Sequence, residues 1–131
     1  MQLILKILTI VLSLIFFALG LSAFIDPATA LEGPAFAWSP DGIAGLSAGR
    51  GILGGQYLAL GLVAGYALVK SEFKLLYIPA LSEFMIVFGR LVSLWVDGFD
   101  ERMLLPLLVE LTMAVGMFCA AKLLRPQTAI S

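Results

Sequence analysis

Four long apolar stretches, separated by short polar segments, dominate the sequence. They cover roughly residues 3–25, 46–69, 75–96 and 103–124. Each is about 20 residues long, which is the length an α-helix needs to cross the hydrocarbon core of a bilayer. The pattern predicts an all-α integral membrane protein whose single domain, residues 1–131, is a four-transmembrane-helix bundle.

The composition supports a bilayer as the solvent for this chain. Hydrophobic residues make up 61% of it and charged residues 13%, whereas an average soluble domain is about half apolar and about a quarter charged. Because a small domain buries only part of its surface, a core could not hide this apolar excess.

The chemistry available to the chain is narrow. It has no histidine and a single cysteine, Cys119, which excludes imidazole metal ligands, a Ser-His-Asp triad and an intramolecular disulfide. A net charge of −1 gives no overall field that would attract nucleic acid. We therefore expect no enzymatic activity, no metal, no cofactor and no nucleic-acid partner.

The first apolar stretch shares some features with a signal peptide. Lys6 lies near its start and the small-residue sequence "LSA" near its end. Its apolar run is long for the hydrophobic region of a signal peptide. We expect the segment to be retained as the first transmembrane helix.

The distribution of charge between the connections predicts an orientation. Basic residues lie near the N-terminus, in the second connection and near the C-terminus: Lys6, Lys70, Lys74, Lys122 and Arg125. The first and third connections are mostly acidic. Because cytoplasmic loops are enriched in Lys and Arg, both termini are predicted to be cytoplasmic, in a multi-pass protein of the cytoplasmic (inner) membrane. Trp38 and Trp95 then fall at the outer interface.

The first external connection, residues 26–45, is long for a helical bundle. Its sequence "DPATALEGPAFAWSPDG" contains three prolines and cannot form one continuous helix. Two placements remain open. The connection lies on the outer membrane surface as an interfacial anchor, or it folds over the mouth of the bundle as a lid.

Several charged residues lie inside the apolar stretches at matching depths. At about 1.5 Å per residue, Arg90 and Glu110 each lie about 10 Å below the outer boundary. Arg50 enters the second helix from the same side, about one turn down. Two arginines and a glutamate are therefore predicted to share the outer half of the bundle, with Glu83 deeper.

The spacing within the third helix predicts a polar stripe. Glu83, Arg90 and Asp97 are seven residues apart, close to two helical turns, and Ser93 lies near them. Such a stripe should face the bundle interior. The predicted partners of Arg90 are Glu110 from the fourth helix and Glu83 or Asp97 from its own face, with a bidentate link to a carboxylate.

Two interpretations of these charges remain open. They could form interhelical ion pairs that fix the register of the helices, or they could serve a ligand or a proton. Glu83 is the best functional candidate, because its depth favours a neutral form and no partner is evident at that depth. Arg50 beside glycines could bind an anionic head group, and Gln56 and Tyr57 could line the same cavity.

Glycines are concentrated in the second helix and suggest close helix packing. Gly51 and Gly55 form one GxxxG pair, and Gly61 and Gly65 form another, a spacing that lets helix backbones approach closely in lipid. The complete set predicted for helix packing is Gly51, Gly54, Gly55, Gly61, Gly65, Gly89 and Gly116.

Three segments resemble a bacterial family of small four-helix membrane proteins, the domain of unknown function 4345. They are "GRGILGGQYLALGL" at 49–62, "GRLVSLWVDG" at 89–98 and "LLVEL" with its glutamate. The plan more distantly resembles DoxX-like four-helix bundles. The resemblance implies the same topology but no activity. The characteristic positions it implies are Arg50, Gly51, Gly54, Gly55, Gly89, Arg90, Asp97, Gly98 and Glu110.

Three functions are compatible with these features. The first is a non-enzymatic accessory or scaffold module held together by its Arg/Glu cluster. The second is a binder or carrier of a lipid, quinone or isoprenoid. The third is a proton-coupled small-molecule transporter that uses Glu83 or Glu110. The candidate partners are the lipid bilayer, a bound lipid or quinone, and a membrane-protein partner or second copy of the chain.

Overall fold

Four helices in the computed structural model are long and apolar enough to cross a membrane. They run over Gln2–Ile25, Gly42–Lys70, Phe73–Val96 and Glu101–Leu123. The structure describes residues 1–37, 39 and 42–124, and the regular elements in those ranges are all helical. The predicted all-helical architecture and its four apolar helices are confirmed, and they indicate a multi-pass membrane protein.

Six α-helices lie within the described residues: α1 (Gln2–Ile25), α2 (Pro27–Glu32), α3 (Gly42–Ala48), α4 (Gly55–Lys70), α5 (Tyr77–Val96) and α6 (Leu104–Leu123). All of them except α2 belong to the four long segments. A π-helical turn, Gly49–Gly54, separates α3 from α4, and the 3₁₀ turns Phe73–Leu76 and Glu101–Met103 lead directly into α5 and α6.

The described parts of the first connection contain helix that the sequence did not predict. The predicted loop over 26–45 is wrong at both ends, because α2 begins at Pro27 and the second long helical segment begins at Gly42. Pro27 occupies the first position of α2, where its missing N–H costs nothing. Asp26 caps that helix, since its side chain accepts a hydrogen bond from the Thr29 N–H at 3.3 Å. Trp38, Asp41 and Arg125, used to predict the orientation, lie outside the described residues.

The bundle is organised as two tightly packed helix pairs. α1 packs along α4 and its π turn, α5 packs along α6, and α1 also contacts α6. α4 and α5 touch much more sparsely. The core between them holds large, fully buried side chains from four parts of the chain: Phe16, Leu31, Leu76, Met113 and Met117.

Small residues allow α1 and α4 to approach closely. A Cβ on Gly61 would lie 3.0 Å from the Phe17 backbone nitrogen, and one on Gly54 would lie 3.0 Å from the Phe24 backbone nitrogen. Gly20 of α1 does the same from the other side, since its Cβ would collide with the Leu58 backbone. The backbones of the two helices therefore meet where side chains are absent.

The set of glycines predicted for packing needs correction. A Cβ on Gly51, Gly55 or Gly89 would meet nothing within 4 Å beyond its own helix and neighbours, so these positions do not support close packing among the described residues. Gly65 makes ordinary contact with Ser13, whereas Gly116 packs against Leu12. The π turn over Gly49–Gly54 adds a residue to the helical period. GxxxG spacing counted through it therefore does not place Gly51 and Gly55 on the α1 face.

A local ion pair closes the third connection. The Asp100 carboxylate accepts hydrogen bonds from the backbone and the guanidinium of Arg102, with 2.6 Å between Oδ2 and Nη2. The hydrogen bond from the Arg102 side chain holds the pKa of Asp100 down at about 2. Arg102 is exposed, so this pair shapes the turn and adds little stability.

Candidate functional site

An ion pair between α5 and α6 forms the centre of the candidate site. Arg90 Nε donates to Glu110 Oε2 at 2.5 Å, and Arg90 Nη2 donates to Glu110 Oε1 at 2.7 Å. The Glu110 side chain is 4% exposed and that of Arg90 is 21% exposed. The predicted bidentate pairing of Arg90 with Glu110 is confirmed. The contact is bidentate because a guanidinium presents two parallel N–H groups to the two oxygens of a carboxylate.

A cavity of about 380 Å³ adjoins this ion pair. It lies among α4, α5, α6 and the segment that follows α2, and its volume falls in the range of small-molecule sites. Its walls combine four polar side chains with apolar ones. The lining residues are Phe36, Ala37, Leu53, Gln56, Tyr57, Ile86, Arg90, Met103 and Glu110.

The segment after α2 covers this cavity. Phe36 is buried, and its ring meets the Tyr57 ring edge-on with the centroids 5.4 Å apart. Leu31, five residues earlier in α2, has no exposed surface. Ala37 takes a left-handed backbone conformation with φ of 52°, which is uncommon outside glycine and ends the segment at the cavity wall. Up to Ala37, the first connection therefore folds over the bundle, as the lid interpretation predicted.

Gln56 and Tyr57 bring α4 into the site. Gln56 Nε2 donates to the Ser82 hydroxyl of α5 at 2.9 Å, a link across the sparse contact between these two helices. Tyr57 is buried between Phe16 and Phe36. Its hydroxyl makes no hydrogen bond within the described part of the chain, although the residue lines the cavity. Gln56 and Tyr57 line one cavity, but Arg50, which was predicted to share it with them, does not.

Glu83 lies deeper than the ion pair and is completely buried. It is 0% exposed, and neither carboxyl oxygen has a hydrogen-bond partner among the described residues. Glu110 and Arg90 are the charged residues close enough to influence its ionisation. The expectation that Glu83 lacks a partner at its own depth is confirmed. Such an orphaned buried group is rare in native structures and calls for an explanation.

Arg50 lies outside the cluster, contrary to the prediction. Its side chain is exposed at the π turn, and its Nε donates to the Phe24 carbonyl oxygen at 2.8 Å. That carbonyl belongs to the last turn of α1, whose final carbonyls have no partner inside the helix. Arg50 therefore caps α1 rather than joining Arg90, and it does not line the cavity that holds Gln56 and Tyr57.

Asp97 and Ser93 also stay apart from Arg90. Asp97 follows the last residue of α5 and is exposed, and the Ser93 hydroxyl donates to its Oδ2 at 2.6 Å. The predicted stripe is thus correct for Glu83 and Arg90 but wrong for Asp97. The seven-residue spacing loses its meaning there because α5 ends at Val96.

Sequence reasoning missed the apolar half of the cavity. Ile86 lies between Glu83 and Arg90 on the same face of α5 and could have been selected by helical spacing. Leu53, Met103 and Phe36 come from segments far apart in the chain, and no local pattern marks them. Within the described residues, no group of three or more Cys, Asp or Glu side chains could hold a metal ion.

The geometry gives the site a defined chemical character. Arg90 and Glu110 neutralise one another, so the cavity offers hydrogen-bonding groups beside apolar walls rather than a free charge. Such a combination suits a molecule with a polar end and an apolar body.

Comparison with known proteins places the chain in a family without assigning a function to it. No curated protein and no solved structure matches it. The family model described as "Domain of unknown function (DUF4345)" matches residues 4–121, which include all but the outermost residues of the four long helices and every residue of the site. The chain belongs to the family of the domain of unknown function (DUF4345).

Proposed function

We propose that the protein is a non-enzymatic module of the bacterial inner membrane that binds a small amphiphile. The observation that carries the proposal is the cavity of about 380 Å³ beside Arg90 and Glu110, with polar groups on one part of its wall and apolar side chains on the rest. A lipid, a quinone or an isoprenoid has this division between a polar end and a hydrocarbon body.

The polar end of the ligand is expected to be uncharged. Both carboxylate oxygens of Glu110 and two nitrogens of Arg90 are already paired, so an added anion would meet a neutralised guanidinium beside a carboxylate. The Tyr57 hydroxyl is free to donate or accept a hydrogen bond. A carbonyl or hydroxyl group on the ligand would match it.

The orientation in the membrane follows from the charges at the two ends of the bundle. Lys6, Lys70, Lys74 and Lys122 lie near the ends of α1, α4, α5 and α6 that face away from Arg90 and Glu110. The excess of basic residues on cytoplasmic loops supports cytoplasmic termini. The ligand cavity then belongs to the outer half of the bundle.

Filling the cavity tests the proposal directly. Met103→Trp puts a larger side chain into the cavity without altering the ion pair, and Leu104→Trp is a matched control because Leu104 is exposed on α6. Native mass spectrometry of protein released from its own membrane should show a bound amphiphile in wild type and in Leu104→Trp, but not in Met103→Trp. The proposal fails if wild type carries no amphiphile or if Met103→Trp retains it.

The ion pair supports a second candidate function, that of a scaffold or accessory module for another membrane protein or a second copy of the chain. The bidentate contact joins the neighbouring helices α5 and α6, and such pairs can fix the register of helices. This role needs the pair for stability and does not need the cavity. A folded Met103→Trp variant that loses its bound amphiphile and keeps its partner proteins would favour the scaffold.

A further inference from the structure

Glu83 has a property that neither the ion pair nor the cavity accounts for. Its carboxyl group is fully enclosed by the bundle, and no donor among the described residues reaches either oxygen. An isolated carboxylate in an apolar interior is strongly disfavoured unless a counter-charge or a hydrogen bond compensates it. The group therefore needs a partner that is not one of the surrounding described side chains.

The neighbours of Glu83 do not supply a counter-charge. The titratable or charged groups that act on it are Arg90 on its own helix, Glu110 on α6 and Tyr57 on α4. Arg90 is committed through Nε and Nη2 to Glu110. One guanidinium thus faces two carboxyl groups, and an ionised Glu83 would leave one negative charge uncompensated.

The size of the enclosure limits what can bind there. Glu83 does not line the cavity and has no exposed surface, so a molecule bound beside Arg90 does not reach its carboxyl group. A proton needs no additional space. Bound to a carboxylate oxygen, it makes a neutral acid with one O–H donor.

We infer that Glu83 is a proton-binding site and that the Tyr57 hydroxyl connects it to the cavity. Tyr57 lines the cavity, and the hydrogen bond between the adjacent residues Gln56 and Ser82 holds together the parts of α4 and α5 that carry Tyr57 and Glu83. No hydrogen bond joins the two groups in the structure, so the transfer requires the Tyr57 hydroxyl to move within hydrogen-bonding distance of Glu83. The Tyr57 O–H bond then breaks, and its proton forms a new O–H bond on a Glu83 carboxylate oxygen. The phenol oxygen takes a replacement proton from a hydronium ion in the cavity, which is left as water, so Tyr57 ends unchanged. Release of the proton follows the reverse path.

Infrared spectroscopy of the protein in lipid can detect this proton without any ligand. A protonated carboxyl group absorbs separately from a carboxylate, and its band shifts in deuterated water. We expect such a band at neutral pH in wild type and in Glu72→Gln, an exposed control, and its loss in Glu83→Gln. Persistence of the full band in folded Glu83→Gln would overturn the assignment.

Isotope labelling keeps the test decisive if Glu83→Gln does not fold. Wild-type protein grown with glutamate labelled with ¹³C at the side-chain carboxyl should show the protonated band at a shifted frequency. Absence of any protonated glutamate band at neutral pH would mean that Glu83 is ionised and would overturn the inference.

The route through Tyr57 has its own measurement. Tyr57→Phe removes only the hydroxyl, and Tyr66→Phe removes a hydroxyl from the exposed side of α4. After transfer to deuterated water, Tyr57→Phe should exchange the Glu83 proton about 100-fold more slowly, the lower end of what a positioned proton-transfer group contributes. Tyr66→Phe should exchange like wild type. Equal rates in all three proteins would exclude the route.

The outcome does not depend on the amphiphile. A protonated Glu83 in a protein that binds no amphiphile would leave the proton site standing and refute the proposed function. A bound amphiphile together with an ionised Glu83 would do the opposite.

Discussion

Two buried carboxyl groups in the same bundle have opposite surroundings. Glu110 is fully paired, because Arg90 meets both of its oxygens, whereas Glu83 has no partner within the described residues. The residue types are the same, so the difference comes from position. Glu110 lines the cavity, where the long side chain of Arg90 reaches it. No hydrogen-bond donor among the described residues reaches Glu83.

Breaking the Arg90–Glu110 pair should destabilise the protein strongly. Arg90→Ala leaves Glu110 as an unpaired, buried carboxylate, a change that typically costs about 3–5 kcal/mol. A lower free energy of unfolding, measured by denaturant titration in mixed micelles, is the expected result. The control Asp97→Ala alters an exposed acid at the end of α5 and should change it by less than about 0.5 kcal/mol.

The double variant separates pairing from packing. If the two groups act as a unit, Arg90→Ala combined with Glu110→Ala should cost less than the sum of the two single changes. Strict additivity of the two free-energy changes would mean that there is no coupling free energy between the two residues. That result would contradict the scaffold role.

At the scale of helices, the contact between α1 and α4 depends on the positions of glycines, which carry no side chain. Gly20 and Gly61 lie at points where a Cβ would press on the facing backbone, and the Ser13 hydroxyl donates to the Gly61 carbonyl oxygen at 3.0 Å. In lipid, helix association relies on such close packing and on interhelical hydrogen bonds. The π turn sets which glycines face α1.

A pair of matched glycine substitutions tests this helix contact. Gly61→Leu forces a large side chain against the Phe17 backbone and should lower the free energy of unfolding by about 1–3 kcal/mol, as overpacking generally does. Gly51→Leu places the same side chain where no other element lies within 4 Å and should have a smaller effect. Thermal unfolding in detergent measures both. An equal loss in the two variants would contradict the assigned packing.

At the scale of the whole molecule, the site lies at one end of the bundle and the basic residues lie at the other. The segment that follows α2, the cavity and the ion pair lie at the end of the bundle formed by the C-terminus of α5 and the N-terminus of α6. Lys70, Lys74 and Lys122 lie at the opposite end. The residues of the candidate site and the basic residues on which the predicted orientation rests therefore lie at opposite ends of the bundle.

Cysteine labelling can establish which end faces outward. In a Cys119→Ser background, Phe99→Cys marks the connection beside the site and Glu72→Cys marks the basic connection, both at exposed positions. A membrane-impermeant maleimide should label Phe99→Cys in intact cells and Glu72→Cys only after permeabilisation. The reverse pattern would place the termini outside and refute the proposed orientation.

The sequence by itself determined the four long helices and named Glu110, beside Glu83 and Asp97, as a partner of Arg90. Long apolar runs report span length directly, and charges at equal depth on neighbouring spans have few other partners. Helix spacing also selected Glu83 and Arg90 as neighbours on one face, because both lie well inside α5.

Only the tertiary structure decided the rest of the site. The π turn directs Arg50 to a carbonyl of α1 and turns Gly51 and Gly55 away from it, and the end of α5 leaves Asp97 exposed. The placement of Phe36 over Tyr57 depends on how the segment after α2 folds back. Local periodicity holds within one uninterrupted helix and fails where a helix changes its period, ends or yields to a connection, since contacts there are set by packing between distant segments.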